Sequence, residues 1–300
     1  MKSFSYILPV RIDNDDRLEN LRTCLAYLNK YFSDSETIVV EDDSEPKCKH
    51  LAEVFQMCYY FIHNTSHFSK SIPVNEGLRK ATRENVAIWD VDCMVLPEQM
   101  ERADKLLSKR KYQVILPHNS IFVNIKNDLK KNIIENQNLE IVPRFKHMYQ
   151  KNSHPDVEVY PIPSGVVLIN REVLLRIGGY NGTMKSYGWE DIEILKRARN
   201  LGIYYFSFAK GNIIHLNHQR GSDSQMNQHY EKNKAEFLRI KGMKKRHLVN
   251  LVNEKLSLDT AYLCDEDFVK SVEKENRKYL LFIRFIINRF INKIIIGKFK

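Results

Sequence analysis

Val86-Ala87-Ile88-Trp89-Asp90-Val91-Asp92 is the stretch on which the reading of this chain turns. Its four leading apolar residues suit a buried strand, and carboxylates at i and i+2 then place hard oxygen atoms beyond that strand's carboxyl end. An Asp-x-Asp is most often a solvated turn; directly after a buried strand it becomes a candidate for gathering a divalent cation and phosphate oxygens. Toward the N-terminus, residues 5–10 predict a short apolar strand and residues 11–16 a polar loop. Residues 18–31 predict a helix with Leu18, Leu21, Leu25 and Leu28 on one face. Residues 37–40 predict a second strand, ending in Glu41-Asp42-Asp43-Ser44. A helix over 46–57, a strand over 58–62 and a helix over 71–81, with Pro73 tolerated in its first turn, complete the alternation. Strand–helix alternation of this kind predicts an α/β fold, a Rossmann-like, mostly parallel sheet flanked by helices on both faces. Ligands of such sheets collect at the carboxyl ends of the strands, where both acidic clusters fall.

Toward the C-terminus the signals weaken. Residues 118–160 are rich in Asn, Lys and isolated prolines, and predict a variable excursion of loops with a helix near 126–135. Regular structure resumes with a strand over 165–169 and a helix over 171–177, stopped by Gly178-Gly179. A mobile loop over 182–188, a helix over 190–200 and a strand over 203–208 follow. No internal repeat is visible.

At 300 residues, 43% hydrophobic and 28% charged, the chain has the material for a full core and is excluded from the disordered and collagen-like classes. Lys+Arg 47 against Asp+Glu 37 gives +10, which favours a polyanionic partner such as nucleotide phosphates, an acidic lipid surface or nucleic acid. Five cysteines without CxxC spacing argue against a disulfide framework or a zinc ribbon. The first residues lack a signal-peptide pattern, and no run reaches the roughly 18 unbroken apolar residues of a spanning helix. The expectation is a cytoplasmic protein.

Residues 241–300 carry 14 Lys+Arg against 7 Asp+Glu, so this basic tail holds +7 of the total. Within 279–296, Arg284, Asn288, Arg289, Asn292 and Lys293 fall on one helical face and leave bulky apolar residues on the other. A helix of this kind suits an anionic bilayer interface, placing the protein peripherally on the inner face of the cell membrane. The competing reading docks the helix on the protein's own core. Nucleic acid is the weaker partner, because the positive charge concentrates in an apolar tail rather than on an aromatic-studded β surface.

Eight short pieces, in order, carry a resemblance. They are Ile7-Leu8-Pro9-Val10-Arg11, Val39-Val40-Glu41-Asp42-Asp43-Ser44, Asn75-Glu76-Gly77-Leu78-Arg79-Lys80-Ala81 and Asp90-Val91-Asp92. Ser164-Gly165-Val166, Gly178-Gly179-Tyr180-Asn181, Gly188-Trp189-Glu190-Asp191 and His215-Leu216-Asn217-His218 follow. Together they resemble GT-A-fold nucleotide-sugar glycosyltransferases of the broad family 2 type. The second half is similar to the C-terminal region of β-1,4-galactosyltransferases and polypeptide N-acetylgalactosaminyltransferases.

The resemblance implies a GT-A domain over 1–240, with a nucleotide-binding half over 1–117 and an acceptor-binding half over 118–240. It implies an inverting transfer of a hexose, galactose or N-acetylgalactosamine, from a UDP-sugar to a saccharide hydroxyl. A lipid-linked acceptor would suit the basic tail. A glucosyl- or glucuronosyltransferase of the same fold, and a non-catalytic membrane adaptor that binds a polyanion, are the alternatives. Asp92 would hold a manganese ion, magnesium being possible, with Asp90 and Val91 beside it. A further ligand would come from His215 or His218, the first preferred because it directly follows an apolar run; His218 could instead bind phosphate. Pro9, Val10 and Arg11 would line the donor pocket, and Asp42 or Asp43 would accept from the uracil N–H. Lys70, Asn75 and Gly165 would border that pocket. Asp191 would be the general base, Glu190 would hydrogen-bond the acceptor and Trp189 would offer it an apolar platform. The loop over 182–188 could close over the donor. One departure is the absence of the additional Gly that galactosyltransferases usually show before the Glu-Asp pair.

Overall fold

The computed structural model describes residues 3–274, apart from 111, 163, 222, 224–226 and 260; the amphipathic segment expected over 279–296 lies outside the described residues. The strands are β1 (Phe4–Val10), β2 (Glu36–Asp43), β3 (Cys58–His63), β4 (Asn85–Trp89), β5 (Cys93–Met94), β6 (Val114–Leu116), β7 (Ile121–Ile125), β8 (Val157–Pro161), β9 (Val166–Asn170), β10 (Tyr205–Ser207) and β11 (Ile213–Leu216). The helices are α1 (Asp15–Phe32), α2 (Lys49–Val54), α3 (Ser71–Lys80), α4 (Pro97–Ser108), α5 (Asn127–Asn136), α6 (Arg171–Arg176), α7 (Glu190–Asn200), α8 (Gln228–Lys241) and α9 (Lys245–Leu251).

Seven strands form the main sheet in the order β10-β6-β9-β4-β1-β2-β3. Strand alternation divides its core. Tyr6, Leu8, Ala87 and Trp89 pack with Leu21, Leu25 and Leu28 of α1 on one face, while Ile7, Val86 and Ile88 pack with Val74 and Leu78 of α3 on the other. Each such leucine, fully buried, contributes about 1.5–3 kcal/mol. Gly77 lets α3 approach the sheet closely, since a Cβ there would stand 2.4 Å from Ile7 Cγ2.

β9 runs antiparallel to both β4 and β6, and the sheet is mostly parallel, as the sequence predicts. One feature differs from the sequence expectation. The stretch 118–160 is more than loops with a helix: β7 and β8 join β5 and β11 in a second, four-stranded sheet, ordered β5-β11-β7-β8. All five residues of β7 are buried, so it lacks the two-residue alternation by which a half-exposed strand is recognised. The core also continues past residue 240, through Leu248, Val252, Leu256, Val269 and Val272.

Candidate active site

A cleft of about 430 Å³ opens at the carboxyl ends of β1, β2 and β4 and is closed on its far side by β11 and the start of α7. Pro9, Val10, Arg11, Asp43, Lys70, Asp90, Val91, Asp92, Gly165, Glu190, Asp191, His215 and His218 all line it. Groups more than a hundred residues apart in sequence therefore share one concavity.

Asp92 stands between two histidines. His218 Nε2 is 3.1 Å from Asp92 Oδ2, and His215 Nε2 is 3.7 Å from Oδ1. The second partners of the rings fix their tautomers. His218 Nδ1 lies 2.8 Å from the carbonyl of Gln219, which can only accept, so Nδ1 donates. His215 Nδ1 lies 2.7 Å from Asn124 Oδ1; the Asn124 amide is oriented by donating from Nδ2 to Glu158 and Asn217, so its oxygen accepts. With Nδ1 as the donor, Nε2 of each ring is the atom turned toward Asp92, and in the neutral tautomer it carries the lone pair a metal would use. Burial lowers the His215 pKa, against the pull of Asp92. Burial would raise the Asp92 pKa, yet His215 and Arg17 outweigh it and hold the carboxyl well below the usual range. Ligand atoms of Asp92, His215 and His218 lie within 4.8 Å of one another, and a carboxylate facing two imidazole lone pairs is a donor set that fits a divalent cation.

Deeper in the cleft, Lys70 Nζ bridges two acids, 2.7 Å from Asp90 Oδ1 and 2.9 Å from Asp191 Oδ2. Tyr180 donates to Asp191 Oδ1 at 3.0 Å. Burial would discharge Lys70, but Asp191 and Asp90 hold its pKa well above normal. Burial pushes Asp90 up to about 6, against the charge of Lys70. Glu190 is raised to about 7, first by burial and then by the charge of Asp191; its Oε2 is buried with no hydrogen-bond partner among the described residues. Glu190 and Asp191 occupy the first turn of α7, where the helix dipole favours carboxylates.

A family model described as Glycosyltransferase like family 2 matches residues 5–220, a span containing the Asp92–histidine cluster and the Lys70 bridge. The chain belongs to that family. Among solved structures, TarS from S. aureus is 18% identical, with a TM-score of 0.51, over 84% of this chain and 42% of that one. This chain therefore spans less than half of the TarS chain. TarS 1–349 in complex with UDP-GlcNAc is 15% identical, with a TM-score of 0.52, over 89% and 75% of the two chains. The mannosyltransferase PcManGT from Pyrobaculum calidifontis, in complex with GDP-Man and Mn2+, is 13% identical, with a TM-score of 0.50, over 97% and 80%. At these identities the likeness is one of fold, the GT-A glycosyltransferase fold. No curated protein matches the chain.

Within this family member, three of the residues singled out in the sequence do not line the cleft. Asn75 is turned into the core side, donating to the Tyr180 carbonyl at 2.8 Å and accepting from the Tyr180 N–H at 2.8 Å, so it positions the tyrosine that touches Asp191. Trp189 adopts a left-handed φ of 77° and stacks on Phe237 of α8, with centroids 5.0 Å apart. Tyr187, with Phe68 and Phe122, supplies the aromatic rings on the cleft wall, and Trp189 does not. Asp42 is fully buried and receives Asn64 Nδ2 at 3.1 Å, while Asp43, on the wall, accepts from Ile12 N and Lys47 Nζ. Arg11 lines the cleft with its donors engaged by the carbonyls of Asp42, Asn64 and Ser66 and by Asp223. The loop over 182–188 is tied at both sides, with Ser186 N donating to Phe68 O and Asn233 bracketing Lys185. Arg17 was not anticipated: it reaches Asp92 Oδ2 at 2.5 Å from the first turn of α1. A cation in that turn opposes the helix dipole, and that mismatch was the available signal.

Proposed function

We propose that this chain is an inverting, metal-dependent transferase that moves a hexose, galactose or N-acetylgalactosamine, from a UDP-sugar to a hydroxyl of a growing surface polysaccharide or lipid-linked oligosaccharide. One observation carries the reading: a single cleft holds both the Asp92–His215–His218 donor set and Asp90, which Lys70 joins by ion pairs to Asp191. The UDP-GlcNAc complex of TarS 1–349 supports a UDP-sugar donor, and the GDP-Man and Mn2+ complex of PcManGT supports a nucleotide sugar handled with Mn2+, Mg2+ being the alternative.

When bound at Asp92, His215 and His218, the cation supplies Lewis-acid stabilisation of the diphosphate leaving group. The remaining work belongs to the chain. Asp191 takes the proton of the attacking hydroxyl at a carboxylate oxygen, and the Tyr180 hydroxyl and Lys70 hold that carboxylate in one orientation. A carboxylate of low basicity suffices, because the hydroxyl becomes strongly acidic only as the new carbon–oxygen bond forms. Lys70 stabilises negative charge building up beside Asp90, and Glu190, with an unused buried oxygen, receives an acceptor hydroxyl. The basic tail would keep the enzyme at the inner face of the membrane, where a lipid-linked acceptor is concentrated.

The test is a panel of UDP-sugars, including UDP-glucose and UDP-glucuronate, assayed for hydrolysis and transfer with and without manganese. Metal-dependent turnover is expected, and Asp191→Asn should lower transfer by ~10²-fold or more while UDP binding persists. Turnover that Asp191→Asn leaves unchanged would remove Asp191 from the reaction. Binding without any turnover would favour the adaptor.

A further inference from the structure

β11 serves two cavities. His215 lines the catalytic cleft, while its neighbour Ile214, on the opposite face by strand alternation, lines a second cavity of about 320 Å³ between α4 and residues 139–146. The two cavities share no lining residue. The walls of the second are apolar, with Val142, Phe145, Phe208 and Ile214 all buried. Arg102, Arg144, Lys146 and Lys210 also line it, against a single acid, Glu98. Arg144 is paired with Glu140, and the Arg102 guanidinium lies 4.4 Å over the Phe208 ring. Arg102, Lys146 and Lys210 have no carboxylate partner among the described residues.

We infer that this cavity binds an anionic amphiphile, a phosphate head joined to a hydrocarbon chain. Like charges gathered at one mouth repel each other until an anion arrives, and phosphate makes charge-assisted hydrogen bonds to Arg and Lys. A bare anion would leave the apolar wall wet, and a bare hydrocarbon would leave the three cations unneutralised; only a ligand with both parts satisfies both. The sequence after Glu275 offers no such anion, since it contains no acidic side chain and adds Arg277, Lys278, Arg284, Arg289, Lys293, Lys298 and Lys300.

The experiment is calorimetric titration of the full chain with farnesyl phosphate, with farnesol and with inorganic phosphate, repeated on the Arg102→Glu/Lys146→Glu/Lys210→Glu variant. All three positions are exposed, and an unchanged melting temperature checks the variant's fold. Farnesyl phosphate should bind the wild-type chain and lose tenfold or more in affinity in the variant, with farnesol and phosphate each at least tenfold weaker than farnesyl phosphate. No binding to the wild-type chain, equal binding by the variant, or equal binding by farnesol or by phosphate alone overturns the inference. Competition by phosphatidylglycerol vesicles would identify the source as a bilayer lipid; lack of competition would identify a phosphate amphiphile taken up singly. UDP-sugar hydrolysis by the variant should stay at the wild-type rate, so this result and that of the Asp191→Asn assay are independent.

Discussion

Asn124 shows how much one uncharged side chain can decide. Its oxygen accepts from His215 Nδ1 at 2.7 Å, which leaves Nε2 as the ligand atom facing Asp92. Asn124→Leu removes that acceptor and frees the ring to rotate. Manganese affinity, measured by titration, is expected to fall about 10–100-fold. Glu190 offers a second test at this scale. Its pKa is raised from 4.5 to about 7 because burial and the Asp191 charge disfavour ionisation in the folded protein. The folded state therefore binds this proton more tightly than the unfolded state, and stability falls as pH rises from about 4.5 to about 7, then levels off. Glu190→Gln should reduce that slope, leaving the part Asp90 contributes, and raise stability above pH 7, by on the order of 2–3 kcal/mol. Thermal melts at pH 5 and pH 8 check it; an equal slope in the variant would count against this assignment.

The element that presents the acids to the cleft is α7, and its footing is a buried ion pair. Glu193 and Arg197 are both fully buried, 2.7 Å apart, and Arg197 also donates to the carbonyls of Ile177 and Gly179. The helix is thereby tied to the turn that carries Tyr180. Removing one partner leaves the other charged and unpaired, so Arg197→Met should cost about 3–5 kcal/mol in a denaturant titration. At this scale the sequence is legible where the pattern is local. The helix expected over 18–31 is found within α1, and α7 runs over the residues its pattern marks. It is poorly legible where pairing is non-local. β7 is buried along its whole length, Asn124 included, and its partners, β8 and β11, lie tens of residues away, so no local period announces them.

At the scale of the whole molecule, residues 241–274 close the core beside α7, and the strongly basic remainder follows. Deleting residues 275–300 should leave the melting temperature nearly unchanged and move the protein from the membrane to the soluble fraction; unaltered partitioning would dismiss the interfacial reading. Stripping divalent metal with a chelator should abolish turnover without unfolding the chain, since His215 is on β11, Asp92 directly precedes β5 and His218 closely follows β11, strands that the second sheet already holds.

Local chemistry along the chain was enough to set out the alternating elements, the carboxylates at the ends of β2 and β4, and the acids opening α7. These depend on neighbours within a few residues, which hydrophobic period and helix-end electrostatics report directly. Tertiary structure alone decided that β9 runs against its neighbours, that Trp189 packs on α8 while Tyr187 faces the cleft, that Arg17 meets Asp92, and that Lys70 joins Asp90 to Asp191. Those facts rest on contacts between groups up to 121 residues apart, and the orientation of a side chain across such a distance is set by packing, on which the local pattern carries no information.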